Sequence, residues 1–470
     1  MKSCYSIRIR RWGDSFCDLC GTGGIYMKKR YVIAGASDRG LNSYGRALSG
    51  KGNLTDTGNN FGYGDDCADR EEIAGQCELA GIYDINIGRA RYAADLLGTK
   101  AFADFNEMLK ETRADCVLVT SADYSHAEYV IRALDAGCEV FCEKPMCITA
   151  EQCRRILEAE QRNRRRIGVC FNLRYQNTIV QIRKLIDSGI LGDIYNVHFE
   201  WLLTKDYSAG HSGHGASYYR RWNAYMEKSG GLLLTKSTHH FDLINWFIGS
   251  RPKRVSAFGK LRHYGRNGTF RAVRCSECEH TAECPYYTKI TPFMQEMYVK
   301  HEKYDGYMID RCVFDEAIDT YDTMALTVEY ENGVLMAYSE SSAAMYEGFK
   351  LSVNGSEARM EVQSFSNGGL RDGEHPDYIR IIRPGHENIT VIDKVPAVSG
   401  DHGGADNAFR RVLFLGEEPE FPYQRADSLD GAYSILIGAA ANESIRTGQI
   451  IDIDQLIGNP ALLERHENNL

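Results

Sequence analysis

The chain of 470 residues lacks any apolar run close to the roughly 20 residues that a membrane-spanning helix needs. Its first 26 residues contain a twin arginine but no apolar stretch of about 7–15 residues, which a secretory signal requires. We therefore expect a cytoplasmic protein without a membrane partner.

A surplus of positive charge is also missing. Lys and Arg number 55 against 64 Asp and Glu, which gives a formal net charge of -9. A nucleic-acid surface needs clustered surplus Lys and Arg, so we expect no nucleic-acid partner. Internal repeats are absent as well, and about 100–200 residues per domain predicts two domains for this length.

The first residues show neither helix nor strand periodicity. We expect 1–26 to be an extension outside the fold, since Met27-Lys-Lys-Arg30 directly precedes an apolar run. The limits we predict are 27–148 for a first domain and 149–470 for a second.

Apolar runs at 31–37, 78–84, 115–121 and 138–145 alternate with helix-patterned segments. This alternation predicts right-handed βαβ units and a parallel sheet, which is an α/β fold.

After Pro145 the pattern changes to helices and long alternating strands. Two alternating runs around Glu331-Asn-Gly333 predict a hairpin over 322–342. We expect a C-terminal α+β domain with an open, mostly antiparallel sheet and a last helix at about 428–446. The Gly/Asn/Asp-rich segment 50–66 is typical of a surface insertion.

Gly35-Ala-Ser-Asp-Arg-Gly40 follows the first apolar run, where a glycine turn can bind a pyrophosphate. Ser37 occupies the middle glycine position of GxGxxG, so an ordinary strand-to-helix turn fits as well. Asp84 ends the second run, where a carboxylate binds ribose hydroxyls and repels a 2′-phosphate. The glycine turn together with Asp84 favours NAD over NADP as the cofactor.

Glu143-Lys-Pro145 ends the fourth run, at the edge of the sheet where ligands bind. Lys144 could hold a substrate hydroxyl and stabilise the alkoxide that forms from it. A surface lysine in a turn is the alternative.

Residues 230–246, GGLLLTKSTHHFDLINW, form an apolar stretch that carries Lys236, His239 and His240. Burying such groups is costly without a partner or a function. The helix N-terminus favours neutral imidazole and lowers the pKa of lysine, which suits a base. Lys236 and His240 share a helix face at i,i+4, while His239 points about 100° away, so we expect one histidine only to pack.

The glycine turn, the acidic strand end, EKP and the GG…H segment resemble, in this order, the Gfo/Idh/MocA family (glucose–fructose oxidoreductase, inositol dehydrogenase and relatives). The resemblance covers residues 30 to about 455. It implies a Rossmann domain, a C-terminal domain with an open sheet, bound NAD(P) and hydride transfer at a sugar or cyclitol hydroxyl.

The resemblance also implies roles for single residues. Lys144 matches the lysine of EKP and His239 the catalytic histidine, whereas Thr235 stands where many members have aspartate. The relay that carries the substrate's proton could therefore use Lys236 and His240 instead of that aspartate. The implied cofactor residues are Gly35, Ser37, Arg39, Gly40, Asp84, Thr120, Ser121, His126, Glu143 and Lys144.

Segments 214–222 and 401–406 carry groups suited to a polyhydroxylated or acidic sugar, although ordinary surface loops would contain them too. The substrate candidates in these two segments are His214, Tyr218, Arg220, Arg221 and His402. Arg174, which matches a position of the family, is a further candidate.

The 15 cysteines are scattered and odd in number, which favours thiols or metal ligands over a disulfide framework. Cys17 and Cys20 form a CxxC motif without a second cysteine pair, which is a weak indication of a metal site. Cys275, Cys278, Cys284 and Cys312, with His280 as a substitute ligand, predict a structural zinc site.

We expect an NAD-dependent oxidoreductase that acts on a carbohydrate hydroxyl, with His239 as base. The alternatives are an NAD-dependent glycoside hydrolase that oxidises, eliminates, hydrates and reduces with recycled NAD, and a sugar or NAD sensor without turnover. An open sheet face often dimerises, so we also expect a homo-oligomer.

Overall fold

A computed structural model describes residues 28–52, 69–205, 214–367, 378–385, 389–393, 402 and 404–465. The extension 1–26, with Cys17 and Cys20, and residues 53–66 of the surface insertion lie outside the described residues.

The first sheet has six strands, all parallel, in the order β3-β2-β1-β4-β5-β6. Its strands are β1 (Lys29–Ala34), β2 (Cys77–Tyr83), β3 (Ala101–Phe102), β4 (Cys116–Val119), β5 (Glu139–Cys142) and β6 (Ile167–Val169). Helices cover both faces, which is why the apolar runs at its centre are buried throughout. β6 lies beyond the predicted boundary at residue 148.

The second sheet has nine strands in the order β14-β13-β12-β11-β7-β10-β9-β8-β15, and only the β7–β10 pair among them is parallel. Its strands are β7 (Ile194–Thr204), β8 (Pro252–Lys260), β9 (Thr323–Tyr330), β10 (Leu335–Ala344), β11 (Glu347–Gly355), β12 (Arg359–Asn367), β13 (Tyr378–Ile382), β14 (Ile389–Asp393) and β15 (Ile451–Asp452). The predicted fold class is confirmed.

The helices complete both layers. A π-helical turn at Gly40–Gly45 precedes α1 (Arg46–Ser49), and the other α-helices are α2 (Arg70–Gln76), α3 (Ile87–Leu97), α4 (Phe105–Thr112), α5 (His126–Asp135), α6 (Ala150–Asn163), α7 (Asn177–Asp187), α8 (His214–Ser217), α9 (Met226–Ser229), α10 (Leu232–Thr235), α11 (Ser237–Ile248), α12 (Pro292–Met297), α13 (Ala405–Phe414), α14 (Ser428–Thr447) and α15 (Ile453–Ile457). None of the helices that the structure describes combines the length and apolar character needed to cross a membrane.

Helix α11 is buried along nearly its whole length, as its apolar sequence predicts. It ends at Gly249, whose φ of 65° is the left-handed conformation that closes many helices. Helix α14 begins with a capping box formed by Asp427 and Asp430.

The segment between β8 and β9, residues 261–322, leaves the second sheet and packs against the first domain. The side-chain amide of Asn86, just before α3, donates to the carbonyl of His301 at 2.8 Å. This segment therefore lies next to the carboxyl ends of the parallel strands.

Candidate active and cofactor site

The glycine turn after β1 lies tightly against the loop after β4. Gly35 has a φ of 108°, and a Cβ there would lie 2.3 Å from the backbone nitrogen of Ser121. The Thr120 hydroxyl donates to the Gly35 carbonyl at 2.6 Å, and the Gly40 amide donates to the Ser37 hydroxyl at 3.0 Å. Backbone can thus approach a ligand closely here, and Ser37 takes up an amide that precedes the helical turn.

Asp84 ends β2 beside this turn. Its carboxylate accepts the amides of Ala36 at 2.8 Å and Asn86 at 2.7 Å. The neighbouring side chains of Ile85 and Tyr124 are 66% and 41% exposed, respectively. A carboxylate beside a glycine turn, with exposed apolar groups nearby, fits the ribose and adenine of a dinucleotide.

Arg39 does not extend toward a phosphate. It donates to Glu143 at 2.8 Å and forms a bidentate pair with Asp406 at 2.8 and 2.9 Å. Asp406 also accepts from Asn172 at 2.7 Å. Although burial acts to raise it, Arg39 and His402 hold the pKa of Asp406 well below its ordinary value. Arg39 therefore anchors the EKP turn to helix α13.

Lys144 lies at the centre of the cleft. Its ammonium group donates to the carbonyl of Thr235 at 3.2 Å. Burial lowers the pKa of Lys144, while Glu143 and Asp123 act to raise it. The ring nitrogens of His126 lie 2.7 Å from the Pro145 carbonyl and 2.9 Å from the Ser121 carbonyl, so His126 joins the EKP turn to the β4 loop.

His239 lies on the first turn of α11 and is buried. Burial lowers its pKa well below the ordinary value, and the charges of Lys144 and Lys236 act in the same direction. Its Nδ1 has no hydrogen-bond partner among the described residues. A neutral imidazole with a free nitrogen thus lies in the electrostatic field of Lys144, which is the arrangement expected of a base.

Lys236 lies with its ammonium group 5.0 Å from the centre of the Trp201 ring. Burial lowers its pKa to about 8, and Lys144 contributes to the shift. Within the described part of the chain its ammonium group forms neither a hydrogen bond nor an ion pair of 4.0 Å or less.

His240 packs between α11 and the second sheet. The centre of its ring lies 4.2 Å from that of the Trp201 ring, with the two planes tilted by 31°, and its Nδ1 lies 2.7 Å from the Tyr338 hydroxyl. The Tyr338 hydroxyl and the Ser237 hydroxyl both donate to Glu340. Burial raises the pKa of Glu340 to about 7, and its Oε1 has no partner among the described residues. Lys236 and Glu340 thus both titrate near neutral pH.

Three of the substrate candidates lie near this group. His214 Nδ1 lies 2.8 Å from Glu347, and its Nε2 lies 3.4 Å from the Tyr218 hydroxyl. Glu347 and Lys236 interact electrostatically, as do His402 and His239. His214 and Tyr218 are therefore connected to Lys236 through Glu347, and His402 lies within electrostatic range of His239.

The other substrate candidates are placed differently, and their contact with a substrate stays a prediction. Arg174 is buried in a bidentate ion pair with Asp242, at 2.6 and 2.8 Å. Arg220 is buried and donates to Cys275 Sγ at 3.1 Å and to two carbonyl groups. Protein groups accept from Arg174 and from both terminal nitrogens of Arg220, while Arg220 Nε has no partner among the described residues. Arg221 interacts with Asp38 of the glycine turn instead.

The zinc prediction is not supported. Among the residues that the structure describes, no group of three or more His, Cys, Asp or Glu is arranged to hold a metal ion. Cys275, Cys278, Cys284 and Cys312 do line one small cavity, which Phe270, Tyr286 and Arg220 also line. Packing against aromatic rings explains why the four thiols lie together, which their spacing in the sequence had suggested was due to a metal ion.

Sequence reasoning missed Asp123, which lies in the loop after β4. Its carboxylate accepts from the Thr235 hydroxyl at 2.7 Å and from the Trp222 indole at 3.2 Å. Burial raises its pKa, against the charges of His126 and Lys144. Glu340 was missed too, although it continues the buried row of Met336 and Tyr338 in β10 and an inward carboxylate in an apolar row was a usable signal.

Comparison with known proteins identifies both halves of the chain. Residues 30–171 match the family model of the oxidoreductase family GFO_IDH_MocA with an NAD-binding Rossmann fold. Residues 183–453 match the model of the C-terminal alpha/beta domain of that family.

The chain is 33% identical over 368 residues to YteT of Bacillus subtilis (strain 168), covering 75% of this chain and 84% of that protein. It is 28% identical over 184 residues to inositol 2-dehydrogenase of Salmonella paratyphi B, covering 38% of this chain and 50% of that enzyme. The crystal structure of the WlbA dehydrogenase from Bordetella pertussis with NADH and UDP-GlcNAcA superposes with a TM-score of 0.59 at 18% identity, covering 91% of this chain and 99% of that one.

Proposed function

Because the chain belongs to the Gfo/Idh/MocA oxidoreductase family, we propose that it uses NAD to oxidise a hydroxyl-bearing carbon of a sugar, sugar derivative or cyclitol. The relative named inositol 2-dehydrogenase supports this substrate class. The observation that carries the proposal is the meeting of Lys144 with helix α11. Lys144 donates to the carbonyl of Thr235 at 3.2 Å, one turn of chain before the buried, neutral imidazole of His239.

The residues of the first domain fit the cofactor. Gly35 and Gly40 let the turn pack against Ser121 and Thr120, because a Cβ at either position would lie within 2.5 Å of them, and Asp84 offers a carboxylate for ribose hydroxyls. That carboxylate disfavours a 2′-phosphate, so NAD is preferred over NADP. NAD, when bound, accepts the hydride.

The side chains of the cleft handle the hydroxyl group. His239 accepts the hydroxyl proton, since burial keeps its imidazole neutral. The Lys144 ammonium group stabilises negative charge on the same oxygen. His214, Tyr218 and Lys236 form the wall that binds the rest of the substrate.

The test is a panel of free sugars and cyclitols with NAD, followed by the absorbance of the reduced cofactor. We expect His239→Ala to lower kcat by about 10²–10⁴-fold, because a general base contributes this much. NAD affinity, measured by calorimetry, should stay within about threefold because the imidazole acts on the substrate. The exposed His198 provides the control, since His198→Ala should leave both quantities unchanged. Full turnover in His239→Ala would reject it as the base.

The pair of Lys236 and Glu340 supports a second candidate, the redox-neutral glycoside hydrolase. Hydride transfer needs one base, whereas elimination after oxidation needs a second acid or base. Lys236 and Glu340, with pKa values of about 8 and about 7, meet that need. Release of the aglycone from a glycoside panel without accumulation of reduced cofactor would favour this candidate.

A sensor would bind NAD and leave both panels unconverted.

The domain limits at 27–148 and 149–470 and the homo-oligomer stay predictions.

A further inference from the structure

The segment between β8 and β9 reaches the place where Asp84 ends β2. Its residues Val299–Tyr304 form a short helical stretch against the start of α3. The fit is close, because a Cβ on Gly88 would lie 2.3 Å from the ring nitrogen of His301. The segment thus brings its own side chains to the proposed ribose site.

Asp305 follows this stretch and shares one guanidinium group with Asp84. Arg89 Nη2 lies 3.1 Å from Asp84 Oδ1 and 2.5 Å from Asp305 Oδ2. The side-chain amide of Asn86 also donates to Asp305, at 3.0 Å, and the Tyr307 ring lies 5.6 Å from the guanidinium carbon of Arg89. Arg89 is held between two carboxylates, and the side chains of all three are at most 16% exposed.

A guanidinium group near the ribose is the usual partner of a 2′-phosphate, which it binds through two parallel hydrogen bonds. Here Nη2, which takes part in both bidentate faces of the guanidinium group, already contacts Asp84 and Asp305. We propose that Asp305 is a specificity residue for the cofactor, which reserves Arg89 for the protein and excludes NADP together with Asp84. This inference rests on the proposed placement of the ribose at Asp84.

The charges of Asp84, Arg89 and Asp305 explain why loss of the Asp305 carboxylate should raise the affinity for NADP. Two carboxylates and one guanidinium group leave a net negative charge, which repels a 2′-phosphate. Neutralising Asp305 leaves Arg89 paired with Asp84 alone, which removes the net negative charge and one of the two carboxylates on Nη2, so that the guanidinium group can bind an anion. NAD lacks the 2′-phosphate and gains nothing from those donors.

The experiment is titration calorimetry of the full chain with NAD and with NADP, without a sugar. We expect Asp305→Asn to lower the Kd for NADP by about 10-fold, the effect of one or two hydrogen bonds to a charged group. The Kd for NAD should change less than about threefold, because the lost charge does not contact ribose hydroxyls directly.

Two further variants separate this effect from general changes in charge. Adding Arg89→Gln to Asp305→Asn should abolish the gain for NADP. Glu302→Gln removes a carboxylate three residues earlier, which pairs with Arg274 at 2.7 Å, and should leave the ratio of the two Kd values unchanged.

An unchanged ratio in folded Asp305→Asn, or a gain that survives Arg89→Gln, would overturn the inference. If Asp305→Asn unfolds, Asp305→Ser is measured under the same criteria. Binding of NAD with an unaltered ratio would refute only the role of Asp305, whereas binding of neither dinucleotide to the unchanged chain would refute the proposed function as well.

Discussion

Lys236 is a buried cation without a carboxylate within 4.0 Å among the described residues. The Trp201 ring at 5.0 Å offers a cation–π contact, which compensates only part of the lost hydration. Burial therefore lowers the pKa of Lys236 to about 8. A group that destabilises its own fold is typical of a functional site, since the protein retains it for another purpose.

We expect Lys236→Met to raise the free energy of unfolding at neutral pH by about 3 kcal/mol, because the pKa shift measures the cost of burying the charge. The folded-state pKa of about 8 lies below the unfolded value of 10.5, so this cost is complete below pH 8 and disappears as the pH approaches 10.5. Urea unfolding on both sides of this window provides the measurement. The exposed Lys253→Met is the control, and an equal gain at both pH values would contradict the explanation.

The two adjacent histidines show what a single residue's sequence context leaves open. Helical spacing indicates that they point in different directions, but it does not tell which one packs. Each histidine keeps one ring nitrogen without a hydrogen-bond partner among the described residues, Nδ1 in His239 and Nε2 in His240. Only His240 lies against Trp201 and Tyr338, with its Nδ1 2.7 Å from the Tyr338 hydroxyl. The difference arises from the second sheet, whose strands β7 and β10 supply both partners of His240.

At the scale of elements, the turn between β1 and the following helical turn is the most constrained part of the cofactor site. The Gly35 carbonyl accepts a hydrogen bond from the Thr120 hydroxyl. Because Gly35 has no side chain, its backbone can lie against the backbone of Ser121. The approach depends on a φ of 108°, which L-residues rarely adopt.

We expect Gly35→Ala to lower the free energy of unfolding by about 1–3 kcal/mol, because both the conformation and the contact resist a Cβ. NAD affinity should fall by at least about 10-fold, since the turn must shift away from the loop after β4. Gly75→Ala is the matched control, because a Cβ at Gly75 in α2 meets nothing within 4 Å. Thermal unfolding and calorimetry with NAD check both effects, and unchanged affinity would show that the turn does not contact the cofactor.

At the scale of the whole molecule, Arg39 connects three distant parts of the chain. It joins the turn after β1 to Glu143 at the end of β5 and to Asp406 in α13. A cofactor contact of Arg39, which the glycine turn suggests, stays a prediction, and the side chain joins the EKP turn to α13.

We expect Arg39→Met to destabilise the protein by about 3–5 kcal/mol, because two buried carboxylates lose their partner. Arg254→Met serves as the control, since Arg254 pairs with Glu329 at the exposed surface, where an ion pair contributes little. Denaturant unfolding measures both variants. A loss below about 1 kcal/mol in Arg39→Met would mean that Asn172 and His402 are sufficient partners for Asp406.

The sequence by itself determined the fold class, and it predicted a site at the edge of the parallel sheet with Lys144, His239 and Asp84 as candidates. The fold class and the glycine turn follow from the period of apolar residues and from turn chemistry, which are properties of short segments, whereas the family resemblance singled out His239 over His240. Only the tertiary structure decided the partners of Arg39, Arg174 and Arg220, the packing of the four cysteines, and the positions of Asp123 and Asp305. Such contacts join residues that are up to hundreds of positions apart, and local patterns carry no information about them.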